Sequence, residues 1–126
     1  MKSDEARHLP LQAETIRSFV VEACGGEREI VLQMVDFFLH SAENLHKEME
    51  SGLAAKDFAT VRRAAHSLKS SSRMFSAETL SSLCAETEEL ATKREGDALA
   101  LLLPPIRAEL KWLASELPAF CAGLTA

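Results

Sequence analysis

Residues 57–75 read DFATVRRAAHSLKSSSRMF, and wound as an α-helix they sort into two faces. Phe58, Val61, Ala65, Leu68 and Phe75 fall on one stripe, at the i, i+3, i+4, i+7 spacing that buries a helix face. Ser72 shares that stripe, where a hydroxyl is expected to bond back to its own helix rather than to reach outward. His66 projects from the opposite side, so packing does not explain it. Arg62, Lys69 and Arg73 flank it at i−4, i+3 and i+7, which gathers four potential hydrogen-bond donors on one surface. Such a stripe holds the imidazole back from extra positive charge and welcomes an anion. It is a surface suited to a phosphoryl group.

Outward from this segment, nearly every stretch carries the same helical period. A first helix is expected from about residue 11 to 23, with Ile16, Phe19, Val20 and Ala23 inward and Gly25-Gly26 as its C-cap. A second runs from about residue 27 to 53, burying Ile30, Met34, Phe37, Phe38, Leu45 and Met49 and wetting Asp36, His40, Glu43 and Lys47. Phe37, Phe38 and Phe75 read as core aromatics. Asp57 is placed to cap the third helix. Ser76 reads as the opening of a fourth, with Thr79 as a weak partner in a capping box. Leu80, Leu83, Cys84, Thr87, Leu90 and Ala91 form its inner face. The last helical region carries Leu99, Leu102, Leu103, Ile106, Leu110, Leu113 and Leu117 at core spacing. Pro104-Pro105 interrupts it, which predicts a kink or two shorter helices.

No segment alternates as a strand would, and short turns join long amphipathic helices. The fold class is therefore all-α: an antiparallel, up-down four-helix bundle with an additional N-terminal covering helix. The expected organisation is a flexible N-terminus at 1–10, one domain at 11–120 and a C-terminal tail at 121–126.

The 126 residues suffice for one core, with 47% hydrophobic and 26% charged side chains. A net charge of −5 argues against nucleic-acid binding, which rewards a basic surface. Cys24, Cys84 and Cys121 are odd in number and widely spaced, so reduced thiols are expected rather than disulfides or a metal site. No apolar stretch is long enough to span a bilayer, and the reading is a cytoplasmic protein. Asp36, His40 and Glu43 share a helix face, but it points away from the apolar stripe and reads as solvated surface. His8 and His46 have no partners at useful spacing.

Residues 65–77, AHSLKSSSRMFSA, resemble the signature of histidine-containing phosphotransfer domains, approximately A-H-x-L-K-G-S-S-x-x-x-G-A. Ala65, His66, Leu68, Lys69, Ser71, Ser72 and Ala77 match it position by position. The flanking sequence is similar as well, from about Ile16 to Leu117. Three positions depart from the pattern. Ser70 and Ser76 stand where the family has glycine, and Thr87 stands where it usually has leucine, with its hydroxyl expected to bond the i−4 carbonyl.

The resemblance implies a relay in which His66 accepts a phosphoryl group from a receiver-domain aspartate and passes it to another receiver. Lys69 would pair with the phosphoryl oxygens, and Ser70 would add a donor. Glu88 takes the place of the polar side chain that holds the other ring nitrogen in the family. Arg62, Arg63 and Arg73 would supply charge to a docking surface, and Leu39 and Met74 apolar contact. Partners would be receiver domains or a hybrid histidine kinase, met by a monomer. The chain has no phosphate-binding loop and no acidic cluster for magnesium, so it would have no kinase activity or cofactor of its own. Mg2+ would come with the receiver. The two absent glycines also leave an alternative: a helical adaptor that regulates a receiver or kinase without being phosphorylated. Retention of both His66 and Lys69 favours the relay.

Overall fold

The computed structural model describes residues 11–125 and contains five helices and, among those residues, no strand. They are α1 (Ala13–Cys24), α2 (Arg28–Ala54), α3 (Phe58–Met74), α4 (Glu78–Thr92) and α5 (Gly96–Ala122). The strongest contacts run α2 to α3, α3 to α4, α4 to α5 and α5 back to α2, which closes an antiparallel ring of four. The short α1 lies against α2, α3 and α5 as a cover. The expected N-terminal segment 1–10 lies outside the described residues. The last helix runs to Ala122, and Cys121 within it is buried.

One core fills the ring. From α3 it takes Val61, Ala64, Ala65 and Leu68, and the small alanines let the neighbouring helices approach. Phe75, at the end of α3, is the hub of the α1 end. Its ring meets Phe19 edge-on at 5.2 Å and Phe38 at 5.1 Å, and Ile16 and Val20 of α1 are fully buried in the same core. Burying side chains of this size contributes about 1.5–3 kcal/mol each, so α1 is held by its apolar face rather than by polar links.

The buried stripe of α2 is Val31, Val35, Phe38, Ala42, His46 and Met49. Successive residues point about 100° apart, so Phe37 and Phe38 cannot both face the core, and Phe38 wins. Phe37 is 73% exposed and is not a core aromatic; Ile30, expected inside, is exposed on the same flank. His46, which the sequence leaves without a partner at useful spacing, belongs to the buried stripe. It is 1% exposed, and its Nε2–H donates to the Leu103 carbonyl at 3.0 Å. That bond ties α2 to α5 one residue before the proline pair.

The helix α5 is continuous through Pro104 and Pro105, rather than split into two. The prolines remove two backbone donors, but Leu99 and Ile106, Leu110, Leu113 and Leu117 anchor both sides of the pair in the core. Tertiary burial outweighs the lost bonds. Asp57 caps α3 as expected, accepting from the Thr60 N–H at 3.2 Å and from its hydroxyl at 2.7 Å.

Three interhelical turns share one backbone solution. Lys56, Ser76 and Arg94 each adopt a left-handed conformation, with φ of 57°, 55° and 58°. In each, the following N–H reaches back five residues: Asp57 to Gly52, Ala77 to Ser72 and Glu95 to Leu90. Ser76 therefore does not cap α4; the turn uses it to reverse the chain, and Ala77 precedes the helix without a side-chain cap. A side chain in this region crowds the next carbonyl at a cost of about 1–2 kcal/mol, which glycine escapes. Part of that gain is lost to glycine's freer unfolded chain. Ser76→Gly is expected to raise stability by roughly 0.5–1 kcal/mol, read as a higher urea midpoint with an unchanged m-value.

Candidate functional site

The site sits on the groove between α3 and α4. Because Ala65 and Leu68 are drawn into the core, His66 is turned outward, and its side chain is 62% exposed. The antiparallel pairing of α3 and α4 brings Glu88 alongside it. Nδ1 of His66 lies 2.9 Å from Oε2 of Glu88, and Nζ of Lys69 lies 2.5 Å from Oε1 of the same carboxylate. One carboxylate thus holds two partners, and it is only 20% exposed, with Lys69 at 18%.

A carboxylate accepts hydrogen bonds, so the ring proton belongs on Nδ1. That leaves Nε2 bare, outward and nucleophilic. Burial pushes the Glu88 carboxyl up, but hydrogen bonds from Lys69 and His66 and the Lys69 charge outweigh it. The net effect holds Glu88 below its ordinary range, as an anion. Cys84 lies wholly buried one turn earlier on α4, where burial and then the Glu88 charge push its thiol up to about 12. It is an inert neighbour. Cys24 and Cys121 are also buried and free, both raised by burial, Cys121 to about 11.

The other expected residues divide. Arg62 is exposed on the His66 side of α3, as is Ser70, and Arg73 is exposed two turns beyond His66. Arg63 is exposed and donates to the Thr60 hydroxyl at 3.5 Å. Ser71 and Ser72 bond back to their own helix, Ser71 to the Ser67 and Leu68 carbonyls and Ser72 to that of Lys69. Thr87 bonds the Leu83 carbonyl at 2.8 Å. Lys69, expected to meet the phosphoryl oxygens, is engaged by Glu88.

Leu39 does not join this surface. It is half-buried against the core, on the edge of α2 whose Glu43 and His46 reach Arg107 and Leu103 of α5. Phe37 is the exposed aromatic of α2. It stands on the other edge of α2, in line with Ser41, Glu48 and Gly52, and a Cβ on Gly52 would meet Val61 and Thr60 of α3. The Phe38–Phe75 contact brings Phe37 level with the exposed Met74. The alternation of Phe37 and Phe38 was the available signal, but it does not by itself say which ring goes inside.

Asp36 and His40 remain on the surface, where the His40 ring bonds the Asp36 carbonyl, and Glu43 pairs with Arg107 at 3.6 Å. Among the described residues no group of three or more histidine, cysteine or acidic side chains is placed to hold a metal, and no helix is long and apolar enough to cross a membrane.

A family model of the Hpt domain matches residues 33–119, well over half of the chain and all of the α3–α4 site. The protein belongs to the Hpt domain family, the phosphotransfer domains of two-component phosphorelays, which interact with receiver domains and histidine kinases. No curated protein and no solved structure matches it.

A carboxyl held below its unfolded pKa stabilises the fold above the unfolded value and loses that contribution as pH falls. Glu88→Gln is expected to be less stable than the wild type at neutral pH. The gap should close as pH drops below the unfolded glutamate value of about 4.3, which urea melts at several pH values will show.

Proposed function

We propose that His66 is the phosphoryl acceptor of a phosphorelay, loaded by the phospho-aspartate of one receiver domain and discharged to the aspartate of another. The observation that carries this reading is the exposed imidazole whose Nδ1 is held by Glu88. Nε2 attacks phosphorus, the N–P bond forms, and the acyl-phosphate bond breaks as the aspartate carboxylate leaves. The proton on Nδ1 stays in place, and Glu88 balances the positive charge that the ring acquires. Phosphoryl transfer is chiefly positioning and charge compensation, so a site divided between two proteins is chemically reasonable. The receiver supplies Mg2+ with its aspartate. Ser70, one turn after His66, offers a hydroxyl donor at the edge of the site.

Receivers dock across α2 and α3. Arg62, Arg63 and Arg73 provide charge there, and Phe37 with Met74 provides the apolar contact. Met74 lies eight residues from His66, about 12 Å along the helix axis, a separation that one partner spans. The domain acts as a monomer, and its buried reduced thiols fit a cytoplasmic setting.

Incubation with a phosphorylated receiver is expected to place an acid-labile, base-stable label on the protein, absent from His66→Gln. Equal labelling of that variant would overturn the assignment. Truncation of an exposed aromatic anchor costs more than about 1 kcal/mol in a typical interface. Phe37→Ala is therefore expected to weaken receiver binding roughly tenfold, measured by titration with the unphosphorylated receiver.

A further inference from the structure

A phosphoryl group on His66 carries two negative charges, and four cations stand on α3 to meet them. Lys69 is the one that the sequence spacing favours, yet it is turned inward. Its ammonium is held by Glu88, its side chain is only 18% exposed, and its charge reaches the buried Cys84 thiol beneath the groove. The two nitrogens of an imidazole face nearly opposite ways, so with Nδ1 on Glu88 the reacting Nε2 points away from that pair. Drawing Lys69 off Glu88 would strip one of two partners from a mostly buried carboxylate just as a dianion arrives beside it. That is a costly exchange.

The remaining three cations differ in place. Arg63 donates to Thr60, on the α3 edge that meets α2. Arg73 lies two turns past His66, on a cleft of about 250 Å³ that it lines with Gln12, Ser76 and Glu78. Arg62 is one turn before His66 on the same stripe, exposed, and in no ion pair among the described residues. Helical side chains lean toward the N-terminus, so the His66 ring lies over the turn that carries Arg62. The guanidinium presents parallel N–H groups matched to phosphoryl oxygens, and among the described residues it has no ion pair to give up.

We propose that Arg62 makes the direct contact with the phosphoryl oxygens on Nε2, while Lys69 acts one step removed by fixing Glu88. This rests on His66 being the acceptor. The carboxylate at position 88 is what divides the labour, because it engages the lysine that would otherwise serve the phosphoryl group.

Phosphoramidate tests this without a receiver, which separates chemistry from docking. Nε2 attacks its phosphorus, the N–P bond to His66 forms, and ammonia leaves with the electrons of the broken bond. Arg62→Gln is expected to label about tenfold more slowly than the wild type. Arg62→Lys should recover part of the loss, and Lys47→Gln, on the wet face of α2, should label normally. In nitrogen-15 spectra the Arg62 Nε–H signal should move on labelling and the Lys69 ammonium signal should hold. Labelling of Arg62→Gln within twofold of a labelled wild type would overturn the Arg62 assignment alone, as would a shift confined to Lys69. A wild type that takes no label at His66 would overturn the acceptor reading and this proposal together.

Discussion

A helix in a four-helix ring can bury only one stripe, and in α3 that constraint organises the rest of the molecule. Val61, Ala64, Ala65, Leu68 and Ser72 are committed to the core, so His66 has nowhere to go but out. The alanines do more than fill space. With little side chain between the backbones, α2 and α4 pack close to α3, and this closeness puts Glu88 within hydrogen-bond reach of a histidine 22 residues away. The core and the site are set by opposite faces of the same turn of helix.

The site itself is governed by one shared carboxylate. Glu88 is buried enough that its charge would be costly alone, and it is offset by two donors from α3. Those donors are thereby oriented: the imidazole is held in one tautomer and the lysine is folded inward. A neutral amide at this position would still hold the ring, but it would not attract the ammonium with a full charge. Family resemblance locates the residues; the acid at position 88 decides how they divide the work.

Elsewhere the fold tolerates local costs because burial outweighs them. Three turns use a non-glycine residue in the left-handed region, and α5 carries a proline pair within its length. Around Ser76 the neighbouring Phe75 and Ala77 are fastened in the core, as Leu99 and Ile106 are on either side of the proline pair, and the chain follows their path. The hydrogen bond from His46 to Leu103 adds a polar tie at the proline turn. The left-handed Ser76 also gives physical meaning to the family glycine there, which is wanted for backbone conformation. The glycine that Ser70 replaces lies within α3, on the exposed side, where conformation makes no such demand.

By itself the sequence determined the helices, the Asp57 cap, the inner stripe of α3 and the outward direction of His66. These follow from periods of three to four residues, and a period is written locally. The Lys69 and Glu88 candidates were also legible, through resemblance to a known motif. Tertiary structure alone decided which of Phe37 and Phe38 is buried, where Leu39 and His46 point, and that α5 survives its prolines. It alone decided that Lys69 belongs to Glu88. Each of these is a choice between positions about one residue apart on a helix, or between partners on different helices. Such a choice is made only when neighbouring helices take up their register and compete for the same space and the same charge.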